Sequence, residues 1–290
     1  MNSETKGMWL GLLGVVAFSL TLPATRVAVA ALNPLFVGMG RVVLAALPAA
    51  IYLLISRRDW PTRAQFKSLG VVALGVALGF PVLSALAMRE VEASHAGIML
   101  GVLPLATAAA GAILSGERPS PGFWAMALLG SLLVVAFALI EGQGSVSWAD
   151  LALLAAVVSA AVGYAEGTRL VQSLGGVQVI SWAVVIAAPV LVIPASVFAP
   201  DTVHVPLDAW LGFLYVALVS QFLGFIPWYR GLALGGIARV GQTQLLQPFF
   251  TLIAAAFLLG ESVTTTALVF ALLVCLTVAV GRGMPVARAR

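Results

Sequence analysis

The chain has 290 residues, of which 61% are hydrophobic and only 9% are charged. This composition, with a mean hydropathy of +1.09, excludes a soluble globular protein and indicates a polytopic membrane protein. The net charge of +4 is explained by basic residues at a membrane surface, because no polar stretch is long enough for a nucleic-acid-binding module.

Ten apolar stretches are each long enough, at roughly 18 residues or more, to cross a hydrocarbon core of about 30 Å as a helix. In chain order they are predicted at 9–31, 35–55, 66–88, 93–114, 123–140, 148–171, 177–199, 209–229, 237–259 and 263–280. The sequence therefore predicts an all-α polytopic membrane protein with ten transmembrane helices.

The basic residues set the expected orientation. If the N-terminus is cytoplasmic, twelve of the 15 Lys and Arg residues fall in cytoplasmic segments. Only Arg89 falls outside, while Arg26 and Arg41 lie within spans. Because Lys and Arg are retained on the cytoplasmic side, both termini are predicted to be cytoplasmic.

A pair of landmarks recurs at one offset. Pro104 precedes a Gly-Glu pair ending at Glu117, and Pro248 precedes another ending at Glu261, with 248 − 104 = 261 − 117 = 144. The chain is therefore predicted to hold two five-helix repeats, 1–144 and 145–290. Since each repeat has an odd number of spans, the second must enter the membrane from the opposite face. Inverted repeats of this kind are typical of secondary transporters.

These landmarks, with Asn33-Pro34 and Gly40-Arg41 in the second span, resemble the drug/metabolite transporter superfamily in its ten-helix EamA-type form. The resemblance covers the whole chain, and within the superfamily it is nearest to bacterial amino-acid exporters of the YddG type, which include aromatic amino-acid exporters. It implies a central cavity formed largely by spans 3, 4, 8 and 9, and export of small metabolites across the bacterial inner membrane. In the second repeat Trp182 lies near the place equivalent to Arg41, so a symmetric role for the arginine is not expected.

Glycine and proline interrupt spans 3 and 8 at matching positions. Gly79 and Pro81 lie in the third span, and Gly224 and Pro227 lie in the eighth. A proline removes one helical hydrogen bond and a nearby glycine lets the backbone bend, so these four residues are predicted hinges. The alternative is that Gly and Pro are simply frequent in membrane helices.

Span 9 carries a polar face that includes Thr243, Gln244 and Gln247. The face must point at a cavity or form hydrogen bonds to another helix, and both interpretations stay open. The equivalent face of span 4 is mostly apolar and includes Met99. A cavity between the two faces would suit amphipathic solutes. The other candidate cavity residues are Phe80 and Ser84 of span 3 and Trp228 of span 8, beside Pro227.

Two basic side chains are candidates for a substrate carboxylate. Arg41 lies about two turns inside the second span, where a charge normally needs a partner or water, although it could instead snorkel to the surface. His95 starts the fourth span and is equivalent to Arg239, because 239 − 95 = 144. An interfacial histidine and a cytoplasmic anchor are the alternatives for this pair.

Other chemistries lack their motifs. There is no phosphate-binding loop, and the two histidines have no H-E-x-x-H setting, so an enzyme, a metal site and a bound cofactor are not expected. The leading hypothesis is a secondary exporter of neutral or amphipathic amino acids, in contact with the lipid bilayer. A multidrug or cationic metabolite exporter is the alternative, and a membrane enzyme or sensor is a third class. The oligomeric state stays open, with a monomer among the options.

Overall fold

The structure is a computed structural model that describes residues 3–56, 60–115, 118–141, 144–201, 204–235, 240–284 and 286–287. The described residues form ten helices, α1 to α10 in chain order, and the predicted all-helical architecture is confirmed. One antiparallel pair of two-residue strands, β1 (Arg118–Pro119) and β2 (Val286–Ala287), joins the α4–α5 connection to the C-terminal segment.

The first repeat contains five helices, three of which are interrupted. They are α1 (Ser3–Ser19, then Thr21–Ala31), α2 (Pro34–Ser56), α3 (Arg63–Val72, Ala73–Gly79, Phe80–Ala87), α4 (Ala93–Met99, Leu100–Val102, Leu103–Ser115) and α5 (Pro121–Glu141).

The second repeat follows the same order. Its helices are α6 (Trp148–Leu174), α7 (Gly176–Val197), α8 (Leu207–Leu214, Tyr215–Leu223, Phe225–Gly235), α9 (Gly241–Leu246, Gln247–Leu259) and α10 (Thr265–Arg282). The start predicted for α9 falls on residues 236–239, which lie outside the described residues.

Length and composition agree with ten crossings. Eight of these helices contain an apolar window of at least 18 residues, and the described parts of α9 and α10 add two shorter apolar helices, Thr243–Leu259 and Thr265–Gly281. Side-chain caps fix several ends. Thr62 caps α3 in a capping box with Gln65, so α3 begins at Arg63, three residues before the predicted start at 66.

Contacts between distant segments show which helix ends lie at the same face of the bundle. Gln65 at the start of α3 donates to Ser173 near the end of α6, at 3.3 Å. Arg26 near the end of α1 donates to the carbonyl of Met88, just beyond α3, at 2.6 Å. We call the face at which α1 and α3 begin the N-terminal face, and the other the distal face.

The helices pack as two interlocked, inverted copies. Equivalent helices of the two repeats contact each other, α2 with α7, α4 with α9 and α5 with α10. In addition, α3 packs on α6, and the equivalent pair, α8 with α1, also packs together. Each repeat thus completes the other, as expected for a pseudo-two-fold axis in the membrane plane.

The interruptions of α3 and α8 are π-helical segments, Ala73–Gly79 and Tyr215–Leu223. Each ends in a widened backbone hydrogen bond, from Phe80 to the carbonyl of Gly75 and from Gly224 to that of Val219. These bonds are equivalent, because 224 − 80 = 219 − 75 = 144. The expected bend at Gly79 and Gly224 thus takes the form of a π-bulge, a local widening common at functional sites, and each proline follows it.

Candidate substrate site

A central cavity lies between the two repeats, beside both π-helical segments. Its free volume is about 420 Å³, a figure that includes space open to the outside. Helices α3, α4, α8 and α9 contribute to its wall, and α1, α2 and α6 contribute as well. Its lining residues are Phe18, Thr21, Leu22, Arg41, Val76, Phe80, Leu100, Leu103, Tyr164, Ser220, Gln221, Phe225 and Gln247.

A second cavity of about 280 Å³ adjoins the first between α4 and α9. The walls of the two cavities share Leu22, Leu100, Leu103 and Gln247, so these side chains lie between them. The space is narrow, and only water-sized groups fit without side-chain movement. We call this tightly packed arrangement the closed state, because an amino acid would fit only when the helices part.

Arg41 is the charged group of the central cavity. Its side chain is buried, at 2% exposure, so it does not snorkel to the surface. Its Nη2 donates to Ser220 Oγ at 2.9 Å, and that hydroxyl is 2.7 Å from Thr21 Oγ1. Its Nε and Nη1 are buried and have no hydrogen-bond partner among the described residues. Two donor atoms of a buried cation therefore lack a hydrogen-bond partner among the described residues.

The buried carboxylates already have partners. Glu166 accepts a hydrogen bond from Arg169 at 2.8 Å, and Asp150 lies 2.6 Å from His95. None of these four lines either cavity. Among the residues that the structure describes, Arg41 is the only charged side chain in the cavity walls.

His95 lies near the distal face and links α4 to α6. Its Nε2 contacts Oδ1 of Asp150, whose Oδ2 accepts hydrogen bonds from the amide and hydroxyl of Ser147. The imidazole also packs on Phe137, with ring centroids 5.0 Å apart. The structure therefore places His95 in a buried polar contact outside the cavities, and Arg239, its sequence equivalent, is outside the described residues.

The polar face of α9 divides into two parts. Thr243 donates to the carbonyl of Val240 in its own helix, at 2.6 Å. Gln244 lines the adjoining cavity and Gln247 lines both, and neither side chain hydrogen-bonds another described residue. The two carboxamides are therefore free to meet a solute.

The remaining predicted site residues are distributed unevenly. Phe80 lines the central cavity with Arg41 and Gln247. Ser84 donates to the carbonyl of Phe80 at 2.6 Å, and Met99 is fully buried in the packing between helices. Trp228 packs against the cavity residue Phe18, with ring centroids 6.3 Å apart, and does not itself line the wall.

Several wall residues were missed by reasoning from the sequence. They are the hydroxyl-bearing Thr21, Tyr164 and Ser220, the carboxamide of Gln221, and the rings of Phe18 and Phe225. The polar ones had a detectable feature, because each interrupts an otherwise apolar span. The phenylalanines had none, since an aromatic residue facing a cavity and one facing lipid are alike in sequence.

Comparisons with known proteins agree with this architecture. The EamA-like transporter family model matches residues 5–140 and again 147–281. YdeK, an uncharacterized transporter of Bacillus subtilis, is 48% identical over 264 residues, covering 91% of this chain and 92% of its own. A probable amino-acid metabolite efflux pump of Salmonella typhimurium is 26% identical over 281 residues, covering 93% and 92%. A solved crystal structure, 18% identical, covers 96% of both chains with a TM-score of 0.64 and shows the same fold.

Proposed function

Because the chain belongs to the EamA-like transporter family, we propose that it is a secondary exporter of neutral or amphipathic amino acids, aromatic ones included. The membrane would be the bacterial inner membrane, with both termini in the cytoplasm. The transport class follows from the family, the solute class rests on the cavity, and the direction rests on the resemblance to amino-acid exporters. The basic residues support the orientation of the termini.

The observation that carries the proposal is that the guanidinium of Arg41 has two donor atoms without a partner among the described residues and shares the cavity with phenylalanine rings. Arginine matches a carboxylate by paired, charge-assisted hydrogen bonds, which are stronger than neutral ones. Phe18, Phe80 and Phe225 offer apolar surface for a side chain. The carboxamide oxygen of Gln247 can accept a hydrogen bond from an α-ammonium group. Together these groups complement a zwitterion with an apolar side chain.

The inverted repeats supply a route for alternating access. Rocking of one repeat against the other around a fixed central site exchanges two states of similar packing. The closed cavity would be an intermediate in that exchange, with the equivalent helices α4 and α9 crossing beside it. A Cβ added at Gly97 of α4 would lie 2.7 Å from Thr251 Cγ2 of α9, so the two backbones meet closely at the crossing.

A cationic exporter is the weaker candidate. A site for drug cations would be expected to present a carboxylate, and no Asp or Glu of the described residues lines either cavity. Arg41 would repel a cation in this low-dielectric setting. The name of the Salmonella relative, a probable amino-acid metabolite efflux pump, also supports amino acids.

Reconstitution into liposomes tests the proposal. Vesicles loaded with labelled phenylalanine, leucine, lysine or a cationic dye are diluted into label-free buffer, with protein-free vesicles as the control. We expect protein-dependent efflux of phenylalanine and leucine, with little efflux of lysine or dye. Efflux of dye without efflux of any amino acid would instead identify a cation exporter. Repeating the series with a pH gradient shows whether transport is coupled to protons.

A further inference from the structure

Among the described residues, the wall of the central cavity carries a positive charge and no negative charge. Arg41 presents Nε and Nη1 without a protein partner, whereas no described carboxylate lines the cavity. Glu166 is occupied by Arg169, and Asp150 by His95 and Ser147. A ligand carboxylate would therefore find a fixed opposite charge, and a ligand ammonium would not.

The uncharged acceptors in the wall are also partly occupied. The hydroxyls of Thr21 and Ser220 are bonded to each other, and Ser220 further accepts from Arg41. Gln221 donates from Nε2 to the carbonyl of Val76, so the neutral acceptors that remain are its oxygen, the Tyr164 hydroxyl and the carboxamide of Gln247. Hydrogen bonds from an ammonium to such neutral groups only partly replace the water that it loses on entering the cavity.

We propose that this cavity is a monocarboxylate site, which requires the carboxylate of its ligand and does not require the ammonium. The inference rests on the proposed function in one respect, namely that this cavity is the transport site. Apolar 2-hydroxy and 2-oxo acids then bind and are exported as well as the amino acids of the same side chain. Their affinity is equal or higher, because they bring no ammonium that must be desolvated.

A ligand series that shares one benzyl group separates the two charges. Phenylalanine carries both, 3-phenyllactate only the carboxylate, and phenylalaninamide and phenethylamine only the ammonium. Inhibition of labelled phenylalanine counterflow in proteoliposomes gives an apparent affinity for each. We expect phenyllactate to match phenylalanine within threefold and both amines to be at least tenfold weaker. The inference is wrong if phenyllactate binds at least tenfold more weakly than phenylalanine, or if the amines bind as tightly as phenylalanine.

Variants assign the preference to one side chain. Arg41→Gln should weaken phenyllactate at least tenfold without weakening the amines, which lose a repelling charge, whereas Arg41→Lys keeps a positive charge and should retain a smaller preference for acids. Arg89→Gln, which removes an exposed arginine from the α3–α4 loop, is the matched control and should change nothing. An acid preference that survives Arg41→Gln would overturn the role of Arg41. If the Arg41→Gln protein does not fold, the wild-type series and Arg41→Lys still decide.

Labelled phenyllactate distinguishes this inference from the proposed function. Export of phenyllactate without export of any amino acid would support the monocarboxylate site and contradict amino-acid export. Export of phenylalanine without binding or export of phenyllactate would overturn the monocarboxylate site and leave the proposed function standing.

Discussion

The side-chain amide of Gln221 donates a hydrogen bond of 3.2 Å to the backbone carbonyl of Val76, and so joins the two π-helical segments. In an α-helix that carbonyl would accept from Phe80, but the amide of Phe80 bonds Gly75 instead. The next residue is Pro81, which has no N–H to donate. The π-bulge and the proline together leave the Val76 carbonyl without a backbone donor, and a side chain from the other repeat supplies one.

Replacing that side chain should destabilise the closed state. Gln221→Met leaves a buried carbonyl unsatisfied, at a cost of about 1–3 kcal/mol, so the midpoint of thermal unfolding in detergent should fall. Gln247→Met is the matched control, because Gln247 makes no hydrogen bond with another described residue and its loss should leave the midpoint nearly unchanged. Equal midpoints for the two variants would show that the Val76 carbonyl finds another donor.

Glu261 closes the distal face across the repeat boundary. Its Oε1 and Oε2 accept from the backbone amides of Ala93 and Ser94 at 2.9 and 2.8 Å, and so cap α4. Hydrogen bonds to a charged group contribute about 1.5–3 kcal/mol each. Glu261→Ala should therefore loosen the distal face and increase thiol labelling of a cysteine introduced at Ser94, after Cys275 is replaced. Glu90→Gln, at an exposed position of the α3–α4 loop, should not. Unchanged labelling in Glu261→Ala would mean that the cap does not hold this face closed.

Much of this fold follows from the sequence, because helix length and apolar composition suffice to place ten helices. The repeat offset of 144 also relates real structural equivalents, as the hydrogen bonds of Phe80 and Gly224 show. Arg41 could be identified because an arginine in a membrane span is costly unless it has a use. Glu261 was found as a landmark in the sequence. Its role in capping α4 could not be predicted, because Glu261 and Ser94 are 167 residues apart.

The cavity wall was harder to predict, for a physical reason. In a soluble protein a polar face marks the outside of a helix, but here most faces are apolar, whether they meet lipid, a neighbour or a cavity. Phe18 and Phe225 therefore gave no indication of facing inward. The contact of His95 with Asp150 joins residues 55 apart in sequence, and no local pattern predicts it.

The topology predicted from the basic residues can be measured directly. Cytoplasmic reporters fused after the last residue should be active, because twelve basic residues would otherwise face the outside. The α3–α4 loop near Arg89 is predicted to lie outside. A reporter that is active only outside the membrane should therefore be active when it is fused there. A C-terminus found outside would contradict the predicted orientation.

A monocarboxylate site also predicts a difference in voltage response. Export of phenyllactate moves one negative charge outward, whereas export of zwitterionic phenylalanine moves none. A potential of 100 mV, negative inside, is worth about 2.3 kcal/mol per charge, or roughly a fifty-fold change in the limiting gradient. We expect a potassium diffusion potential to drive phenyllactate efflux and to leave phenylalanine efflux nearly unchanged. Protein-free vesicles give the background. Equal responses of the two solutes would mean that a compensating ion moves with the acid.

The two π-helical segments are the predicted moving parts, and their glycines test this. A Cβ at Gly79 would overlap the hydroxyl of Ser159 in α6, whereas one at Gly224 would lie 3.1 Å from the ring of Phe18 in α1. Gly79→Leu and Gly224→Leu should therefore both reduce transport, by forcing α3 from α6 and α8 from α1. Gly70→Leu is the matched control in α3, since a Cβ there would contact nothing within 4 Å.

Because the repeats are inverted, the two glycine variants should favour opposite states. Single cysteines report this, one at Ser94 near the distal face and one at Val240 near the N-terminal face, both buried in the closed state, after Cys275 is replaced. One variant should expose the first cysteine to a membrane-impermeant thiol reagent, and the other variant should expose the second. The two helix pairs are related by the pseudo-two-fold axis, so pushing one pair apart opens one mouth and pushing the other pair apart opens the opposite mouth. Identical labelling patterns would contradict a symmetric pair of hinges, even if both variants were inactive.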